Sequence, residues 1–410
     1  MRISFLAKVK KYFGLPRGVL LFALYSSIGS FTGPIWWITA QLYLNELGYS
    51  PEEIGYLVFV MSITYSVFAF VIGFLADILG RKKFLVLSSL FGTASALIYF
   101  WYVDYAMLML SALLGGLSGA FYSPVYAVYV ADLTPEEKRT MAYSFLSFTG
   151  NLAFALGSLF TVTSYLLREW YGFSMLDSYR VLFLVSAILM LASLAFIAPL
   201  KERFEKRRKV SLQDLVPRKS AAVVAKFSIY AALIGFGAGF IIPLFSLWFK
   251  KRFGLGEEAL GPLMMISSIV LGVSSLINPL LVRKLGAVKS VVSTQLISVA
   301  VLVSIPLIPN PVVVMVLYVI RSTLMNVTGP IQTALIMNLV PPEERGKTQS
   351  ITAVAWSIPN SISPAWGGAI MERDLNLPFF ICGFFYSVAI PLFYFLFKAH
   401  EEEASLKALA

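Results

Sequence analysis

Apolar residues in this chain come in long unbroken runs separated by short polar stretches. A helix needs about 20 apolar residues to cross a hydrocarbon core of about 30 Å. Twelve runs meet that length, at 17–44, 53–78, 84–103, 105–132, 141–167, 179–199, 221–249, 258–283, 289–308, 312–338, 347–371 and 377–398. Most separators carry turn residues suited to a water interface, as in LGYSPEE, TPEEKR, IPNP and VPPEERG. The runs lack the alternation of a membrane barrel. The pattern predicts an all-α polytopic membrane protein with 12 transmembrane helices.

Composition removes the alternatives. Of 410 residues, 58% are apolar and 13% charged, against about 45–50% and about 25% in soluble proteins. A soluble chain this apolar could not cover its own surface, and 33 Phe with 7 Trp exclude a disordered polymer. A single Cys (Cys382) rules out a disulfide framework and a thiolate metal site. A single His (His400) in a polar tail argues against imidazole catalysis. No H-E-x-x-H, G-x-S-x-G or P-loop pattern occurs. The chain is expected to be no enzyme and no ATP-driven pump, with no cofactor and no metal.

The net charge of +11 is a topology signal. With the N-terminus placed in the cytoplasm, 26 of the 33 Lys and Arg fall on cytoplasmic segments and six on the outside. Nine of the 26 lie between Lys201 and Lys226. This asymmetry places both termini in the cytoplasm, makes anionic lipid headgroups the partners of the basic loops and removes nucleic acid as one. Span 1 is too long for a cleavable signal core and has no evident cleavage site. A multi-pass plasma-membrane protein acting as a monomer is expected.

The chain also matches itself at an offset of 206. Gly29 and Gly33 fall on Gly235 and Gly239; Gly48, Glu52, Gly55 and Leu57 fall on Gly254, Glu258, Gly261 and Leu263; Gly80 falls on Gly286 and Pro124 on Pro330. With one residue inserted, Pro135–Lys138 match Pro342–Arg345. Each copy holds six spans, so both enter the membrane from one side, as parallel repeats related by an axis along the membrane normal. The expected organisation is an N-terminal six-helix bundle at 1–199, a cytoplasmic linker at 200–220, a C-terminal six-helix bundle at 221–398 and a cytoplasmic tail at 399–410. Two such bundles can rock about a site midway through the bilayer, which is the physical basis of a carrier for a small-molecule substrate.

Between spans 2 and 3, residues 73–83 read GFLADILGRKK. This resembles the G-x-L-a-D-r-x-G-R-[RK]-[RK] signature of the major facilitator superfamily, at its expected place. The 6+6 repeat, the long central loop and the P-E-E-[KR] loops after spans 4 and 10 extend the likeness to the whole chain. The resemblance implies the fold of that family, and a latch formed by Gly73, Asp77, Gly80 and Arg81. In the family the Asp docks on the N-terminal end of span 11, here around Gly346–Thr348, where the helix dipole favours a carboxylate by about 0.3–2 kcal/mol. Arg139 is a further candidate partner. The second copy carries Arg283 where the first has Asp77, so the acidic latch is expected on one side only. Arg81, Lys82 and Lys83 also read as plain topology determinants.

The resemblance makes spans 1, 4, 7 and 10 line a cavity, with help from 5, 8 and 11. Arg321 is the ionisable group nearest the middle of a span, and Met325, Thr328 and Gln332 share its helical face. Its guanidinium suits a carboxylate or phosphate, or it bonds backbone carbonyls. Other cavity candidates are Trp37 with Ser26, Ser30 and Gly33 in span 1, Tyr122 and Tyr126 in span 4, Asn151 with Ser144 and Ser147 in span 5, and Trp356 and Asn360 in span 11. Such aromatic and small residues equally serve helix packing. No Asp, Glu or His is centrally embedded in the N-terminal half, so proton coupling has no support there. Span 5 lacks the G-x-x-x-G-P-x-x-G-G motif of the family's drug/proton antiporters, whereas SPAWGG in span 11 resembles its end. The reading is alternating-access transport of a small organic solute, with efflux of amphipathic compounds first. The alternative is uptake or exchange of an organic anion through Arg321.

Overall fold

The computed structural model describes residues 14–200, 202, 219–274 and 277–409, without the side chains at 74, 77, 136, 140, 279, 342 and 400–409. Helices form everywhere that the apolar runs require them. They are α1 (Arg17–Glu46), α2 (Pro51–Leu79), α3 (Lys82–Trp101), α4 (Tyr105–Leu133) and α5 (Arg139–Phe160, continued by Thr163–Tyr171). There follow α6 (Met175–Ile197), α7 (Ala221–Gly239, then Phe245–Phe253) and α8 (Glu257–Ser274, then Asn278–Leu285). The last four are α9 (Ala287–Ser304), α10 (Pro311–Asn326, then Gly329–Leu339), α11 (Arg345–Arg373) and α12 (Leu377–Leu409). No strand occurs among the described residues.

Eleven of these helices are long and apolar enough to span a membrane. The exception is α11: its 29 residues suffice in length, but Thr348, Thr352, Ser361 and Ser363 stud its buried face. Polar side chains on a buried face are tolerated where they meet partners or line a cavity. The segment expected to be a polar tail is continued helix, since α12 runs on to Leu409 without a break. Most of the expected linker, 201 and 203–218, falls outside the described residues.

The described helices cluster into two compact units. One draws on the described residues within 1–49, 60–208 and 255–265, the other on those within 50–59, 209–254 and 266–410. The first turns of α2 thus belong with the second unit, and those of α8 with the first. In the first unit α1 packs on α5 and α6, and α3 on α4 and α6. In the second, α7 packs on α11 and α12, and α9 on α10 and α12. These are the same four pairings, carried from one repeat to the other. The α3–α4 contact is close because serines face each other: Ser95 and Ser111 exchange hydrogen bonds at 2.8–2.9 Å, and Ser88 and Ser118 donate to each other's carbonyls at 2.8 and 2.9 Å.

Repeat partners share backbone geometry as well as identity. Gly80 and Gly286 end α2 and α8 with φ of +92° and +82°, a conformation in which a Cβ is strained. Helix α1 widens into a π-turn at Ile35–Thr39 directly after Pro34, and α7 breaks at the equivalent place, before Phe245, around Pro243. Proline removes a helical hydrogen bond, which explains both bends.

Candidate functional site

Each unit carries an open polar-aromatic cavity. In the first, about 290 Å³ is lined by Ser26 and Ser30 of α1, Tyr122 and Tyr126 of α4, and Ser147 and Asn151 of α5, with Phe154. Tyr122 and Tyr126 are one helical turn apart, with ring centroids 5.4 Å from each other, and they continue into Tyr25 and Phe22 at 6.3 and 5.5 Å. The aromatic stripe therefore both packs the bundle and presents its edge to the cavity. Ser26, Ser30, Ser147 and Asn151 add hydroxyl and amide groups to the same lining.

In the second unit, about 340 Å³ is lined by residues of α7, α9, α10, α11 and α12, among them Tyr230, Gln295, Arg321, Gln332, Trp356 and Tyr386. Arg321 is 3% exposed. Its Nη2 donates to the Tyr386 hydroxyl at 3.2 Å, and its guanidinium carbon lies 5.7 Å from the centre of the Tyr386 ring. Its Nε has no hydrogen-bond partner among the described residues. The backbone beneath it is pinned by Ser298, whose hydroxyl donates to the Arg321 carbonyl at 2.9 Å. Tyr230 donates to Gln295 Oε1 at 2.8 Å, leaving that amide its donor end. No acidic residue lines this cavity among the described residues.

Of the residues expected at a cavity, Tyr122, Tyr126 and Asn151 meet in the first and Arg321, Gln332 and Trp356 in the second. Trp37 and Asn360 line neither. Trp37 is 38% exposed within the π-turn, and Asn360 donates through Nδ2 to the Gly235 carbonyl at 3.1 Å, fastening α11 to α7. Tyr230, Gln295 and Tyr386 had no signal of their own in the sequence, because their relation to Arg321 exists only once α7, α9 and α12 pack around α10.

The GFLADILGRKK segment is the α2–α3 turn. Arg81, 7% exposed, forms an ion pair with Asp132 at the end of α4, while its backbone N–H donates to Glu202. Lys82 Nζ donates to the carbonyls of Ala198 and Leu200 at 2.6 and 2.8 Å, beyond the end of α6. These basic groups thus tie three helix ends of one unit together, besides carrying topology charge. Gly73 lies on α2 against Pro124 of α4. Asp77 is helical, and its side chain is outside the described ones.

At the opposite end of the first unit, Glu257 is fully buried, paired with Arg168 Nη2 at 2.6 Å, and accepts the Tyr179 hydroxyl at 2.9 Å. The sequence offered no reason to connect residues on α5, α6 and α8.

The described residues contain no cluster of three His, Cys, Asp or Glu able to hold a metal. The profile described as Major Facilitator Superfamily matches residues 18–364 and 227–409. The chain belongs to the major facilitator superfamily. Multidrug resistance protein 2 of Bacillus subtilis (strain 168) is 26% identical to this superfamily member over 85% of the chain and 88% of the relative. Multidrug resistance protein 1 of the same organism is 24% identical, over 85% and 88%. Among solved structures, the nucleoside transporter NupG superposes with a TM-score of 0.74 at 14% identity, covering 93% of this chain and 99% of that one. At that identity the likeness establishes the 12-helix fold. The protein is a multi-pass membrane transporter that moves a small solute by alternating access.

Proposed function

We propose that this carrier exports amphipathic small organic compounds across the plasma membrane. The observation that carries the reading is the lining of the two cavities, where aromatic faces alternate with hydroxyl and amide groups. Such surfaces accept ligands of varied shape through apolar contact and a few hydrogen bonds. That two relatives matched over 85% of the chain are named multidrug resistance proteins is consistent with it. The 26-to-6 distribution of Lys and Arg supports cytoplasmic N- and C-termini with anionic headgroups around the basic loops.

The proposal includes a conformational latch at Gly73, Asp77, Gly80 and Arg81. Its support is the left-handed Gly80 and the tethering of Arg81 to Asp132, which give this turn a defined shape at the end of α2. Asp77→Asn is expected to change the transport rate and the reactivity of cytoplasmic-side cysteine probes; unchanged values for both would remove the latch.

Transport is tested by reconstituting the protein in liposomes and following a panel of fluorescent amphipathic compounds, with and without a pH gradient. Flux of several unrelated members above protein-free liposomes is expected. Flux of none would overturn the export reading, and the gradient arm reports whether movement is proton-coupled.

A further inference from the structure

Arg321 is a permanent cation in a cavity that no acidic side chain lines among the described residues. A guanidinium stays protonated under any condition a cell offers, and a buried charge without a counter-charge is costly. Within the membrane such groups pair or line a pathway. Here the side chain is 3% exposed, its one hydrogen-bond partner is the neutral Tyr386 hydroxyl, and Nε is unoccupied among the described residues. None of the residues lining the cavity is acidic. The same cavity is lined by amides with protons to give: Gln295, whose oxygen accepts from Tyr230, Gln332, and Asn326, whose Nδ2 already donates to the Ser322 carbonyl. The volume of about 340 Å³, walled elsewhere by Phe227, Ile234 and Trp356, fits an acidic group attached to an apolar body.

We propose that the second unit's cavity is an anion subsite, in which Arg321 receives the carboxylate of an amphipathic organic acid while Trp356 and Phe227 cover its apolar part. The inference rests on the carrier reading above and narrows its substrates to anions. Tyr386 is a positioning residue: its hydroxyl accepts from Nη2, while the Nε–H beside it is left for a ligand oxygen. Cationic amphiphiles are disfavoured here, since they would add a second positive charge to a site without a carboxylate. An anionic lipid headgroup shares the chemistry, so the test separates lipid from solute.

The test measures binding of three ligands sharing one naphthalene body, 2-naphthylacetate, 2-(2-naphthyl)ethanol and 2-(2-naphthyl)ethylammonium, to the protein in phosphatidylcholine nanodiscs. Wild type is expected to bind the carboxylate about tenfold more tightly than the alcohol, with the ammonium weakest. Arg321→Gln should abolish that preference and leave alcohol binding unchanged. Tyr386→Phe, which keeps the ring, should weaken the carboxylate a few-fold and spare the alcohol, and it serves if Arg321→Gln does not fold. Equal binding of all three by wild type would overturn the anion subsite and leave the carrier reading standing. Failure of the panel compounds to bind or move at all would overturn both. Loss of carboxylate binding on adding phosphatidylglycerol to the nanodiscs would assign the site to lipid and overturn the solute.

Discussion

Gly55 and Gly261 occupy the same position in the two repeats, and at each a Cβ would run into the backbone of a neighbouring helix. At Gly55 it would lie 2.5 Å from the Pro364 carbonyl oxygen of α11, and at Gly261 2.6 Å from the Ser158 oxygen of α5. The opposing atoms are backbone, which cannot swing aside, so the helices would have to separate. Overpacking of this kind costs about 1–3 kcal/mol. Gly55→Ala and Gly261→Ala are each expected to lower the thermal unfolding midpoint of the detergent-purified protein. Gly29→Ala, at a position with nothing within 4 Å, should leave it in place. Equal midpoints for all three variants would show that the close approach has no energetic weight.

Glu257 takes its counter-charge from Arg168 at 2.6 Å and accepts a hydrogen bond from Tyr179 at 2.9 Å. Removing one partner of a buried pair leaves a charge stranded and costs about 3–5 kcal/mol, whereas replacing both by neutral groups is often nearly neutral. Arg168→Met should therefore destabilise the fold strongly, and the double variant Arg168→Met/Glu257→Gln should recover most of the loss. A double-mutant cycle on thermal stability reads this directly. Additive losses, with no recovery in the double variant, would mean that the two side chains act independently.

The P-E-E-[KR] loops hold the first helix of each half. Glu344 accepts the backbone N–H groups of Lys219 and Ser220 at 3.0 and 2.9 Å, together with the Ser220 hydroxyl, at the N-terminus of α7, where the dipole also favours a carboxylate. In the other half Lys138 donates to the Gly14 carbonyl at 2.7 Å, just before α1. Gly14 and Ser220 are themselves 206 apart. Hydrogen bonds to charged groups contribute about 1.5–3 kcal/mol. Glu344→Ala is expected to accelerate amide exchange at residues 219–224 before any change elsewhere, and Glu344→Gln to do so less. Exchange that rises uniformly along the chain would contradict a local fastening.

Much of this architecture was readable from sequence because membranes impose strong local rules. Span length follows from bilayer thickness. The offset of 206 was visible because glycines such as Gly80 and Gly286 serve a backbone geometry that other residues resist. The cavities were legible only in part. Tyr122, Tyr126 and Asn151 announce themselves by helical spacing on their own helices, but Tyr386 lies 65 residues from Arg321, and no periodicity connects them. Arg168 and Glu257 were hidden for the same reason: each looks like an ordinary span-end charge until α5 and α8 pack. Trp37 and Asn360 share that helical spacing yet line neither cavity, since spacing along a helix does not say which face the next helix will cover.

Arg81 separates charge from geometry. It is 7% exposed, pairs with Asp132 and lends its backbone N–H to Glu202, so it joins the ends of α2 and α4 to the segment after α6. A lysine would keep the charge and the backbone N–H, but not the planar guanidinium that meets Asp132. If topology were its whole role, Arg81→Lys would behave as wild type and only Arg81→Gln would suffer. If the fork matters, Arg81→Lys should lose about half or more of the transport rate of a fluorescent amphiphile in reconstituted vesicles, with Arg81→Gln lower still. Asp132→Asn, which leaves every basic residue in place, is expected to resemble Arg81→Lys. Wild-type transport in both Arg81→Lys and Asp132→Asn would return Arg81 to the role of a topology determinant.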